Sequence, residues 1–106
     1  MIYPIRFTID AENDLWNLGG SIQKQVKNKL FKLERNPFLG TKLGKKQRHN
    51  LSGLYKLYVY PKTYRIIYRL KTPTQIEIIE IVGIGKRYKS EIYETIIKRL
   101  IDMEKD

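Results

Sequence analysis

Residues 35–76 hold ten lysines and arginines and not one aspartate or glutamate. Within that span, in the stretch LYKLYVYPKTYRIIYRL, Lys56, Arg65 and Arg69 are interleaved with Tyr58 and Tyr60. Cations of this kind hold phosphate oxygens through charge-assisted hydrogen bonds, and tyrosine rings offer flat faces to bases, so the pattern is that of a surface for nucleic acid. Lys45, Lys46 and Arg48 extend it on the N-terminal side. A second group lies in GKRYKSEIY at 85–93, where Lys86, Arg87 and Lys89 leave a strand at the start of a helix whose free amides favour an anion, with Tyr93 in the first turns. The remainder of the chain carries eleven residues of each sign, so the net charge of +10 is placed as a patch rather than spread for solubility.

Other chemistries lack their residues. There is no cysteine, which removes disulfides, thiolate nucleophiles and zinc ribbons. His49 is the sole histidine, so a histidine pair for acid–base cleavage is excluded, and no motif around it supports a Ser-His-Asp arrangement. Glu77 and Glu80 fall on opposite faces of a strand, and Asp10 and Asp14 at a helix start read as dipole-favouring, solvated acids; no metal site is expected. Gly83 and Gly85 lack the third glycine of a dinucleotide fingerprint and read instead as a strand break and bulge.

Stepping along the chain, residues 2–8 have strand alternation, with Pro4 indicating a sheet edge. Ala11, Leu15 and Leu18 give a short helix its apolar stripe, Gly19-Gly20 ends it, and Ser21 is positioned to cap a second helix. Ile22, Val26, Leu30 and Leu33 recur at helical spacing, and Lys24, Lys27, Lys29 and Lys32 lie mostly off that stripe. This predicts a helical pair covering one side of a sheet, closed by Asn36-Pro37. Residues 37–53 read as a surface loop. The hairpin at 54–70 turns at Pro61-Lys62-Thr63. It hides Tyr55, Leu57, Val59, Tyr64, Ile66, Tyr68 and Leu70 and displays Lys56, Tyr58, Tyr60, Arg65 and Arg69. A turn around Pro73 leads to an interior strand at 76–82, and a last helix runs from 90 to about 103, capped by Ser90, with Ile92, Ile96, Leu100 and Met103 on one face. One small α+β domain with an antiparallel meander is expected over 1–106, with no bilayer-spanning stretch and no secretory signal, hence a cytoplasmic protein.

With these elements assembled, the chain resembles the RelE family of bacterial and archaeal toxins, part of the RelE/ParE superfamily. The likeness covers the strand, the helical hairpin, the loop ending LSGLYKL, the YRIIYRL strand and VGIGKRYKSEIY, the last two being its most specific parts. It implies a RelE-like α+β fold, with an N-terminal strand and helical hairpin packed on an antiparallel sheet with a C-terminal helix. It further implies the toxin of a type II toxin–antitoxin pair, cutting mRNA on the ribosome through attack by the 2′-hydroxyl without metal or other cofactor. On that resemblance Lys56 matches a strand lysine acting as base or phosphate ligand, and Arg65 the arginine on the scissile phosphate. Arg87 matches the arginine stabilising the transition state, and Tyr93 the tyrosine that stacks on or orients the nucleotide. Tyr58 departs from the pattern, standing where RelE has a second lysine. The implied partners are a cognate antitoxin, with a heterotetramer as one form of the assembly, and the ribosome with its mRNA; no membrane is involved. Two rival readings share the fold: a ParE-like toxin that inhibits DNA gyrase without cutting RNA, and a non-catalytic RNA- or ribosome-binding module. Arg65, Arg87 and Tyr93 speak against the first, and Tyr58 motivates the second.

Overall fold

The computed structural model describes residues 2–46, 49–51, 53–59, 63–71, 78–86 and 91–104. In chain order these form β1 (Ile5–Phe7), α1 (Ile9–Trp16), α2 (Gly20–Leu33), β2 (Thr41–Lys42), β3 (Lys45–Lys46), β4 (His49–Asn50), β5 (Leu54–Val59), β6 (Tyr64–Lys71), β7 (Ile78–Lys86) and α3 (Glu91–Glu104). Five strands make one sheet in the order β1-β7-β6-β5-β2, and β3 pairs with β4 alone. The expected α+β architecture is present. β5, β6 and β7 form the antiparallel meander, and β1 is an edge strand as Pro4 implied, but it runs parallel to β7.

Alternation along the hairpin sets the inner face. Tyr55, Leu57 and Val59 of β5 and Ile66 and Tyr68 of β6 join Ala11, Leu15, Val26 and Leu33 of the two helices in one core. The helical pair therefore covers this side, as its stripe predicted. α1 is capped by Thr8, whose Oγ1 accepts from the Ala11 amide at 3.1 Å. α2 starts two residues earlier than expected, with Gly19 at the cap position and no side-chain cap, so Ser21 lies inside the helix.

The opposite face is the main departure. It is not displayed to solvent: Leu43, Leu51, Leu54, Ile67 and Val82 pack there against Ile92, Tyr93 and Ile96 of α3. Residues 37–53, read as loop, supply β2, which pairs with β5, as well as two of these buried leucines. Gly53 precedes β5 at φ 86°, a conformation costly for any residue with a Cβ. Nor do Gly83 and Gly85 end a strand. β7 runs through both to Lys86, with its register shift between Ile67 and Tyr68 of β6 leaving Val82 as the extra residue. A Cβ on Gly83 would collide with Ile96, and one on Gly85 would stand 2.8 Å from Ile92 Cδ1. The two glycines thus allow α3 to lie close on the sheet. Of the stripe expected on α3, Ile92 and Ile96 are buried, whereas Met103 is exposed. The turns at Pro61-Lys62 and Pro73 and the Ser90 cap fall outside the described residues.

Two polar fasteners hold the layers. The Tyr68 hydroxyl donates to Pro37 O at 2.9 Å and accepts from the Gly40 amide at 2.8 Å, while its ring stacks on Tyr55 at 5.2 Å. Burial pushes that hydroxyl's pKa up to about 12 despite the Gly40 hydrogen bond, which pulls the other way. At the far edge, β1 stops at Phe7 and β7 continues beyond it. There Asp14 Oδ2 accepts from the Ile84 amide at 3.0 Å and from Arg99 Nη1 at 2.7 Å, Asp14 Oδ1 accepts from Arg99 Nη2 at 2.9 Å, and Arg99 Nη1 also reaches Val82 O at 3.1 Å. The pair does for the edge of β7 what a longer β1 would have done. Hydrogen bonding to Asp14 holds the Arg99 guanidinium above its ordinary pKa, and Asp14 is a tie between α1, β7 and α3 rather than a solvated acid.

Tyr68→Phe should leave Pro37 O and the Gly40 amide without their buried partner and lower stability by about 1–3 kcal/mol, measured by urea unfolding at neutral pH. Because the folded chain holds the phenol proton more tightly than the unfolded one, wild-type stability should fall as pH rises from about 10 to about 12. The part of that fall due to Tyr68 should be absent from the variant.

Candidate nucleic-acid interface

The register of β5 against β6 places Tyr58 opposite Arg65 and Lys56 opposite Ile67, and β6 against β7 places Arg65 opposite Gly85. Directly paired residues point to the same side of a sheet. Lys56, Tyr58 and Arg65 therefore share the face on which α3 lies, and the missing side chain at Gly85 leaves room beside Arg65.

Arg65 fills that room as a buried cation, only 3% exposed. Its guanidinium carbon lies 5.0 Å from the centroid of the Tyr58 ring and 5.3 Å from that of Tyr93, and Nη2 donates to the Tyr58 hydroxyl at 3.2 Å. A guanidinium between two π-faces gains cation–π attraction on both sides, of order 1–2 kcal/mol each when desolvated. Lys56 Nζ approaches the same Tyr58 ring at 5.4 Å. Four of the residues singled out in the sequence, Lys56, Tyr58, Arg65 and Tyr93, are thus one contact group built from β5, β6 and α3. Tyr93 is delivered by the first turn of α3, where Ile92 beside it packs over Gly85.

Lys86 is placed differently. It pairs with Tyr64, and its Nζ lies 5.9 Å from that ring, at the end of β7 and next to a cleft of about 220 Å³ whose lining includes Thr95 and Arg99. Lys45 and Lys46 form β3, in a two-stranded ribbon apart from the main sheet. Arg48, Tyr60, Arg87 and Lys89 lie outside the described residues.

Arg69 faces the same way as Arg65. Its Nε donates to Glu80 Oε1 at 2.6 Å, and Lys71 Nζ lies 3.1 Å from Glu80 Oε2. Among the described residues the basic face thus contains the carboxylate of Glu80, and the β6·β7 register pairs it with Arg69. Burial alone would raise the Glu80 pKa; hydrogen bonds from Arg69 and Lys71 outweigh it and hold the carboxyl below its usual range. Among the described residues no three of His, Cys, Asp or Glu come together as a metal site, and Asp14 is already taken by Arg99.

Comparison with known proteins gives the family and the fold. The family model for the ParE toxin of type II toxin–antitoxin systems matches residues 5–96, and the chain belongs to that family, within the RelE/ParE superfamily. It is 24% identical over 101 residues to the mRNA interferase toxin RelE of Escherichia coli, covering 95% of this chain and all of that one. It superposes on a mutant of E. coli toxin RelE in the free state with a TM-score of 0.74 at 25% identity, covering 93% of this chain and 98% of that one. A RelBE toxin–antitoxin complex of Mycobacterium tuberculosis gives a TM-score of 0.66 at 28% identity, over 82% of this chain and 100% of that one.

The Glu80 environment carries its own test. Since its folded pKa is depressed, the stability it confers is present above the ordinary carboxylate value of 4.5 and is lost as pH falls through the lower folded value. Urea midpoints measured from pH 6 down to 3 should fall more steeply for wild type than for Glu80→Gln.

Proposed function

We propose that this toxin is a ribosome-dependent mRNA endoribonuclease that cleaves by attack of the adjacent 2′-hydroxyl. The observation that carries the reading is the contact group itself: a sheet arginine held between two tyrosines beside a lysine, in a family relative of a named mRNA interferase matched end to end. Such cleavage needs no outside nucleophile. The 2′-oxygen bonds to phosphorus, the bond to the 5′-oxygen breaks, and a cyclic phosphate and a 5′-hydroxyl result. The protein's task is in-line geometry, stabilisation of charge on the phosphorane and transfer of one proton from the 2′-oxygen and one to the 5′-oxygen. None of these steps calls for a metal.

Arg65 suits the phosphorane because its planar guanidinium makes bidentate, charge-assisted hydrogen bonds, which strengthen in a site shielded from water. With Arg65 buried, the phosphate reaches it where Tyr58 or Tyr93 gives way, and a nucleotide base then takes up the stacking that a ring relinquishes. Arg87 is assigned the transition-state charge, and Lys56 the proton or a ground-state phosphate oxygen. Lys45, Lys46, Arg48, Tyr60, Lys86 and Lys89 extend the track for RNA; Arg69, held by Glu80, contributes less. The partners are a cognate antitoxin and the translating ribosome, which places the work in the cytoplasm. The gyrase-inhibiting reading shares the fold and the family model, but the full-length likeness to an mRNA interferase and the retained Arg65, Arg87 and Tyr93 favour RNA.

Primer extension on a translated message should show wild-type cleavage. Arg87→Ala should lower it by about 100-fold or more with ribosome association little changed. Arg65→Ala should match that loss and weaken binding as well. Gyrase inhibition in a supercoiling assay without new RNA ends would select the ParE-like activity instead, and cleavage indifferent to both substitutions would place the site elsewhere.

A further inference from the structure

The charge balance of the chain conceals a second basic block. Outside residues 35–76 the signs are equal only in sum, because residues 15–33 carry four lysines and no acid. The block coincides with α2. Val26 and Leu33 face the core, and the exposed side carries Lys24, Lys27, Phe31 and Lys32 alongside the uncharged Gln25 and Asn28, continued past the helix end by Arg35. At ~1.5 Å rise per residue, Lys24 and Lys32 stand roughly 12 Å apart along the axis.

Aromatics are interleaved here too. Phe31 is 61% and Trp16 58% exposed, far more than core residues of their size, and each carries a cation: Arg35 lies 4.3 Å from the Phe31 centroid and Lys27 5.9 Å from that of Trp16. Arg35 is the weakest member, since it also pairs with Glu34 at 3.1 Å.

We propose that this outer face of α2 is a second RNA-binding surface, and that its ligand is the folded RNA of the ribosome rather than the message strand. The inference rests on the ribosome-dependent reading above and supplies a physical reason for it. α2 packs on the side of the sheet opposite Arg65 and Tyr93, in a body measuring 33 × 32 × 25 Å. A strand lying along the Arg65 face reaches α2 only by turning around that body. A folded RNA enclosing the protein touches both faces at once, so binding at α2 holds the cleavage face against the message and raises its effective concentration there. An acidic protein segment also meets the charge. The exposed stripe, however, carries three lysines and two flat rings, which fit phosphates and bases.

The test compares wild type with the triple substitution Lys24→Gln, Lys27→Gln, Lys32→Gln and with the double substitution Trp16→Ala, Phe31→Ala. Binding to purified ribosomes is measured from about 50 to 200 mM salt, the range in which counterion release dominates. All five positions are exposed, so unfolding temperatures should stay close to that of wild type. The triple variant should have a log–log salt slope shallower by roughly 2–3 and bind on the order of tenfold more weakly at intermediate salt, with cleavage ends unchanged at saturating ribosomes. The double variant should lose affinity with its salt slope kept. Ribosome binding equal to wild type in both variants overturns the proposal, as does antitoxin affinity that falls while ribosome binding stays intact. A wild type that binds ribosomes but cuts no message counts against the catalytic reading, and the binding comparison still decides this one.

Discussion

A helix approaches a sheet only as closely as the side chains between them allow, and on β7 two of those side chains are absent. Gly83 and Gly85 leave the space that Ile96 and Ile92 occupy, so α3 settles on the second face of the sheet and does not stand off it. Much of the site depends on that approach. Tyr93, next to Ile92, arrives over the neighbouring strand, where Arg65 sits opposite Gly85, and the arginine becomes a buried cation between two rings. Asp14 and Arg99 fasten the other half of the helix to the open edge of β7. A methyl group at either glycine would push against α3 and loosen the contact between Tyr93 and Arg65.

What the sequence made legible was local periodicity. The alternation of Tyr55, Leu57 and Val59 against Lys56 and Tyr58, and the helical spacing of Val26 and Leu33, each follow from one element and its core. What it concealed was pairing between distant elements. A strand face carrying Lys56, Arg65 and Arg69 reads as solvated, because alternation does not reveal that a helix some thirty residues further on will cover it. Nor does any local signal turn a three-residue first strand parallel to the last, choose Glu80 as the partner of Arg69, or bring Asp14 to Arg99 across 85 residues. The glycines were visible but ambiguous, since strand break, bulge and close helix approach all call for the same residue. The lysines of α2 read as lying mostly off its apolar stripe, and the structure puts Lys24, Lys27 and Lys32 on its exposed side.

Three of the residues that the resemblance singles out are neighbours in the structure. The resemblance orders Lys56, Arg65 and Tyr93 along the chain, and the β5·β6 register with the seating of α3 brings them within cation–π distance of one another or of a shared ring. Tyr58, the departure from the RelE pattern, is central to that contact: its ring adjoins both cations and its hydroxyl accepts from Arg65. A tyrosine in place of a lysine removes a charge and supplies a stacking face.

The central claim is that Arg65, sheltered by Tyr58 and Tyr93, is where the scissile phosphate docks. The most direct measurement is side-chain NMR of the isolated protein during titration with a short oligonucleotide whose reacting 2′-hydroxyl is replaced by hydrogen, so that it binds but does not cleave. The account predicts that the Arg65 guanidinium and the Tyr58 and Tyr93 rings shift together along one binding curve, as the phosphate enters and a ring yields. Saturation of the oligonucleotide on the protein with Arg65 and both rings unmoved would contradict it.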